Sequence, residues 1–145
     1  MRIEIFIPSR STEVKDLVLG VLAEQGFAFD PGKDSDLDDI TGYYLDDGGM
    51  FFTGILGGEV IGTAAVRMVG TGKCEIRRVY MKQEFRGRGY GRQLFLQALE
   101  YAGSHYPVVT LKTDRSLVRA ISLYLSSGFS VVKEEGDALF FRMDI

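Results

Sequence analysis

Arg86-Gly87-Arg88-Gly89-Tyr90-Gly91 is the stretch on which the reading of this chain turns. It joins an apolar stretch of strand character, 74–81, to a run with helical spacing that begins near Gly89. Alternate glycines at a strand-to-helix turn let the backbone come close to a ligand and point several N–H groups one way. With a helix N-terminus behind them, they suit an anion such as a phosphate. Arg86 and Arg88 add charge-assisted hydrogen bonds. Two familiar phosphate motifs do not fit. A dinucleotide fingerprint starting at Gly87 requires glycine at position 92, where Arg92 stands. A P-loop requires Gly-Lys followed by Ser or Thr, and Gly72-Lys73 is followed by Cys74. For the six residues alone, a plain tight turn with solvated arginines fits equally well.

Working outward, the helix after the turn is the clearest element. Gly91, Leu94, Phe95, Ala98, Leu99 and Ala102 fall on one helical stripe. Upstream, the pattern predicts a strand at 2–7, a helix from Ser11 or Thr12 as cap to about Gln25, and a second helix at 36–45 with Leu37, Ile40 and Tyr44 on one side. Strands at 50–56, 59–69 and 73–81 follow, the first two joined at Gly57-Gly58. Downstream come a strand at 107–113, a helix at 116–127, and strands at 129–133 and 138–143. The order is that of a mixed α/β domain, a central sheet of about seven strands flanked by about four helices. With 145 residues and no linker, the chain is expected to form one domain, 1–145.

Composition narrows the function classes. The net charge of −3 argues against a nucleic-acid binder. No apolar run approaches the roughly 18 residues of a membrane span, and 2–7 is too short and mixed for a signal peptide. Cys74, the single cysteine, has no internal disulfide partner, so a cytoplasmic location is expected, with Cys74 a small core residue and His105 an exposed helix-end residue. No His/Cys cluster or Ca²⁺ loop points to a metal. Residues 30–47 carry seven aspartates against Lys33, and the densest basic group is Arg77, Arg78, Lys82, Arg86, Arg88 and Arg92. The acidic segment reads as a solvated helix start with Asp caps.

A second pattern lies downstream. Ala120-Ile121-Ser122-Leu123-Tyr124 leads into Leu125-Ser126-Ser127-Gly128-Phe129. Together with the turn at 86–91, this A-x-x-L-Y-x-x-x-G-F pattern resembles the GNAT superfamily of acyl-CoA-dependent N-acyltransferases, most specifically over residues 59–129. One departure stands out. Many members carry asparagine seven residues before the tyrosine, near the cofactor, and here that position is Leu117.

The resemblance implies a fold, a co-substrate and roles. The co-substrate is acetyl-CoA, with its pyrophosphate on the backbone of Arg86, Gly87, Arg88, Gly89, Tyr90 and Gly91 and its pantetheine arm along Val79, Tyr80 and Met81, whose N–H groups also serve the acyl carbonyl. Tyr124 is the candidate acid for the leaving thiolate, with core packing as the alternative. Glu75, eleven residues before Arg86, is the candidate base for the amine, with a surface ion pair to Arg77 or Arg78 as the alternative. Strand alternation groups Glu75, Arg77, Val79 and Met81 on one face. The acceptor is a primary amine on a small molecule, an amino acid or a peptide, and the C-terminal edge strands are candidates for a homodimer contact. A non-catalytic acyl-CoA sensing module and an ATP-binding domain remain as rival readings.

Overall fold

The strand patterns at 50–56, 59–69 and 73–81 become the middle of a seven-stranded sheet. The computed structural model describes residues 1–145. The strands are β1 (Arg2–Ile5), β2 (Met50–Leu56), β3 (Glu59–Gly70), β4 (Lys73–Met81), β5 (Val108–Asp114), β6 (Ser130–Glu135) and β7 (Ala138–Asp144). They lie in the order β1-β2-β3-β4-β5-β7-β6. Every neighbouring pair is antiparallel except β4 and β5. A parallel pair needs a crossover, and α3 (Tyr90–His105) supplies it.

Each face of the sheet carries its own apolar cluster. On one, α1 (Ser11–Glu24) buries Val14, Leu17, Val18 and Val21 against Phe51, Val60 and Ala65. On the other, Leu94, Phe95, Ala98 and Ala102 of α3 meet Tyr124 of α4 (Val118–Ser126) over Ile76, Val109 and Phe141. The α3 stripe read from the sequence is therefore the core stripe from Leu94 to Ala102, with Leu99 only partly buried. Cys74 is sealed in this second cluster, and burial pushes its thiol up to about 12, so it is inert packing. His105 is exposed at the end of α3, its Nδ1 2.8 Å from the Tyr101 carbonyl. No helix is long and apolar enough to cross a membrane.

Two local expectations change. The start of α1 has no side-chain cap; Glu13 instead accepts the Val60 N–H at 2.8 Å, tying the helix to β3. The helix expected over 36–45 is broken into a 3-10 turn at Ser35–Asp38, a one-turn α2 (Ile40–Tyr43) and a 3-10 turn at Leu45–Asp47. Its apolar positions Leu37, Ile40 and Tyr44 are all buried, as the spacing indicated. The break falls at Asp39, whose backbone is non-helical (φ −152°, ψ 72°) and whose carboxylate accepts the Gly42 N–H at 3.0 Å to cap α2.

Gly62 of β3 sits where a Cβ would lie 2.5 Å from Met81 Cε, 2.7 Å from Leu94 Cδ1 and 3.0 Å from the Tyr80 carbonyl. Gly62→Ala should cost about 1–3 kcal/mol of stability in urea unfolding, because α3 cannot approach β3 and the end of β4 without that space. An unchanged urea midpoint would show that the contact relaxes freely.

Candidate active site

The parallel pair β4–β5 opens partway along. Pairing runs Lys73↔Val108, Cys74↔Val109 and Glu75↔Thr110 and stops there, although β4 continues to Met81 and β5 to Asp114. The divergence coincides with a bulge in β4. Thr63 faces Tyr80 and Ala65 faces Arg77, so Arg78 and Val79 together oppose Ala64. Arg78 is the one non-glycine residue with positive φ, +52°. Its carbonyl accepts a hydrogen bond from Thr63 Oγ1 of β3 at 2.7 Å. In a trans peptide the next N–H points opposite to that carbonyl, so the Val79 N–H turns away from the Thr63 hydroxyl, and Val79 itself lines the gap.

The bulge also corrects the expected alternation. Cys74, Ile76, Val79 and Met81 face the α3 cluster. Tyr80 packs against the α1 cluster, and Arg77 and Arg78 both reach the 34–44 segment on that side. Two consecutive arginines share a side because the extra residue resets the period of two.

A cavity of about 670 Å³ runs from this gap to the glycine turn. Val79, Tyr80, Met81, Tyr124 and the turn residues Arg86, Gly87, Gly89 and Gly91 line it, whereas Arg88 and Tyr90 do not. Gly87 and Gly89 have φ of +81° and +83°, which favours glycine at both. A Cβ at Gly87, Gly89 or Gly91 would meet nothing within 4 Å. Gly91 therefore does not serve close packing within the protein; its missing side chain keeps the cavity floor open at the first turn of α3. Arg88 lies over the Phe85 ring, 5.4 Å from its centroid. Arg86 is held by the Met81 carbonyl (Nε–O 3.0 Å) and Glu24 (Nη2–Oε2 2.8 Å), which ties the turn to β4 and α1. Arg86→Ala should raise the Michaelis constant for an anionic ligand of this cavity only about 3- to 10-fold, since the ion pair is half-exposed. A larger loss in a titration would mean that Arg86 touches the ligand directly.

Two cations on the cavity wall were not assigned from the sequence, Arg92 in the first turn of α3 and Arg119 in α4. Arg92 had a signal, being the next basic residue after the glycines. Arg119 had none, because only the tertiary fold brings α4 across the gap. Leu117, 40% exposed, lines the same cavity with no polar side-chain atom, and Ser116 beside it supplies a hydroxyl.

Tyr124 stands where this cavity meets a second one, of about 420 Å³, inside the gap. Phe95, Phe141 and Phe129 hold its ring at centroid distances of 5.1, 5.6 and 6.5 Å. Burial, reinforced by Tyr80, pushes its phenol up to about 12, so it stays a hydrogen-bond donor through the neutral range. Glu75 is not on either cavity. It lines a third, of about 910 Å³, together with Lys33, Asp34, Tyr43, Arg77 and Lys112, and its carboxylate is ion-paired with Arg77 Nε. Leu22, Phe27, Ile76, Arg78 and Tyr80 are common to the second and third cavities, so the two adjoin.

Residues 20–129 match the model of the acetyltransferase (GNAT) family. The chain belongs to this family. Among GNAT structures, an acetyltransferase from Staphylococcus aureus Mu50 superposes with a TM-score of 0.87 at 18% identity, over 99% of this chain and 98% of that one. The PaiA N-acetyltransferase of Thermoplasma acidophilum, solved in complex with coenzyme A, gives 0.76 at 17% identity over 100% of both chains. By sequence, the chain is 34% identical over 101 residues to the N-acetylaspartate synthetase of Xenopus tropicalis, covering 68% of this chain and 37% of that protein. It is 29% identical over 136 residues to mouse N-acetyltransferase 8F1, covering 88% of this chain and 61% of that one. The chain thus spans little more than a third of the first relative and under two thirds of the second. The glycine turn, the open β4–β5 gap and Tyr124 all fall inside the matched GNAT segment.

The acidic segment of this GNAT domain is not simply solvated. Asp34 and Asp36 are buried and flank Arg78. Burial works against the Asp34 charge, but the Asp30 N–H and Arg78 outweigh it and hold its carboxyl below the usual range.

Proposed function

We propose that this domain transfers an acetyl group from acetyl-CoA to a primary amine by direct attack in a ternary complex. The observation that carries the proposal is the continuity of the open β4–β5 gap with the glycine cradle, with Tyr124 at the junction. Acetyl-CoA supplies an acyl carbon activated as a thioester. The N–H groups at 86–91, with Arg92 and Arg119 nearby, suit a pyrophosphate, and the unpaired edge of Val79 to Met81 suits an amide-bearing arm laid down like an added strand. The Val79 N–H is the donor for the carbonyl oxygen as negative charge develops there. Glu75, oriented by Arg77, takes the proton from the amine directly or through water. A C–N bond forms, the C–S bond breaks, and Tyr124 stabilises the departing thiolate by donating its O–H. A phenol pushed up to about 12 is less acidic than an ordinary thiol at roughly 8.5, so its part is a hydrogen bond rather than complete proton transfer.

The amine enters from the side of the 910 Å³ cavity, where Lys33, Arg77 and Lys112 are interleaved with Asp30, Asp34 and Glu75. Charges of both signs suit a zwitterion such as a free amino acid, in line with the name of the N-acetylaspartate synthetase relative. The net charge of −3 and the lone, sealed Cys74 support a cytoplasmic small-molecule enzyme over a nucleic-acid or membrane partner.

Leu117 at the usual asparagine position and the pairing of Glu75 with Arg77 favour a second reading, an acyl-CoA sensor without turnover. Calorimetry with acetyl-CoA, with ATP as control, followed by thiol release over a panel of amines, separates the two. Binding with release supports the transferase, binding without release supports the sensor, and no acetyl-CoA binding removes both.

A further inference from the structure

Arg78 occupies a backbone region that an L-residue holds only when its surroundings over-determine it. The surroundings here are specific. Arg78 Nε and Nη2 donate to Asp36 Oδ2 and Oδ1 at 3.0 and 2.7 Å, a bidentate pair, and Nη2 also reaches Asp34 Oδ1 at 3.0 Å. Asp36 Oδ2 accepts the Tyr44 hydroxyl at 2.5 Å, and Asp34 Oδ2 accepts the Asp30 N–H at 2.9 Å. Tyr44 is itself fixed between Tyr43 and Phe51. The Arg78 side chain is only 10% exposed, and both of its carboxylate partners are buried. The Nε and Nη2 edge of the guanidinium is thus committed to the two carboxylates inside the protein. The peptide that follows it carries the Val79 N–H.

We propose that Arg78 is a positioning residue, and that the Asp34–Asp36 clamp on its side chain fixes the β4 bulge so that the Val79 N–H is aimed into the gap. The inference rests on the acetyl-transfer reading above and extends it. The segment that holds the clamp also walls the acceptor cavity through Asp30, Lys33 and Tyr43, so acceptor side and carbonyl donor share one rigid network. Arginine rather than lysine suits the position because only the guanidinium fork engages Asp36 bidentately.

The test compares acetyl-CoA with CoA in ¹⁵N-labelled protein, following the Val79 amide, alongside turnover and CoA affinity. In the wild type, acetyl-CoA should move the Val79 amide resonance downfield relative to CoA. Arg78→Lys keeps the charge but loses the fork; it should diminish that difference and lower kcat about 10-fold, with the CoA dissociation constant unchanged. Arg78→Gly tolerates the positive φ and removes the clamp, so it should abolish the difference; if it does not fold, Arg78→Lys decides. An unaltered Val79 response and kcat in Arg78→Lys overturns the positioning role and leaves the transferase reading standing. A parallel fall of kcat, CoA affinity and thermal stability overturns it too, as the signature of a merely structural residue. A wild type that binds acetyl-CoA without any acetyl-dependent shift at Val79 removes the carbonyl donor, and the positioning role with it.

Discussion

Gly91→Glu should raise the CoA dissociation constant at least about 100-fold, the equivalent of some 2.7 kcal/mol, while leaving the domain as stable as before or slightly more so. The two effects have separate causes. Gly91 is the second residue of α3, and a Cβ there would meet no atom within 4 Å beyond its chain neighbours and its own helix backbone. A glutamate there replaces a residue that is poor in helices, and its charge complements the positive end of the helix dipole, each contributing about 0.5–1 kcal/mol toward the fold. The same side chain projects over the cradle formed with Gly87 and Gly89 and sets a carboxylate against the phosphates it would hold. Calorimetry and a thermal melt on one sample check both halves. Retained CoA affinity with an intact melt would place the anion elsewhere; a lowered melting temperature would mean that α3 packs more tightly at Gly91 than the structure shows.

Tyr124→Phe should lower kcat about 10- to 100-fold, the range for losing one hydrogen bond to a charged group. The Michaelis constant for acetyl-CoA should stay within about twofold, since the cradle is untouched. Phenylalanine can keep the packing on Phe95, Phe129 and Phe141, so stability should not move. The pH dependence is informative because burial pushes the phenol up to about 12. An ordinary tyrosine begins to lose its proton toward pH ~10, and this one retains it there. The ratio of wild-type to variant kcat should therefore be flat from about pH 6 to 10. A ratio that collapses toward one above about pH 9 would mean an unshifted tyrosine, and equal rates at every pH would reduce Tyr124 to core packing.

The sequence by itself determined the elements whose signals are local. The glycine turn, the α3 stripe and the hairpin strands each follow from periodicity or turn chemistry within a few residues. The Tyr124 motif and the turn together marked the family. Local pattern could not show that β4 carries a bulge, and so it put Glu75, Arg77, Val79 and Met81 on one face when Arg77 and Arg78 in fact share a side. Nor could it show that two of seven aspartates in a stretch resembling a solvated helix start are buried against Arg78, partners 42 and 44 residues away. Arg119 reaches the cavity only because α4 closes over the gap. The tertiary structure decided these features because a buried charge is tolerable only beside its counter-charge, and a left-handed arginine only where distant groups hold it.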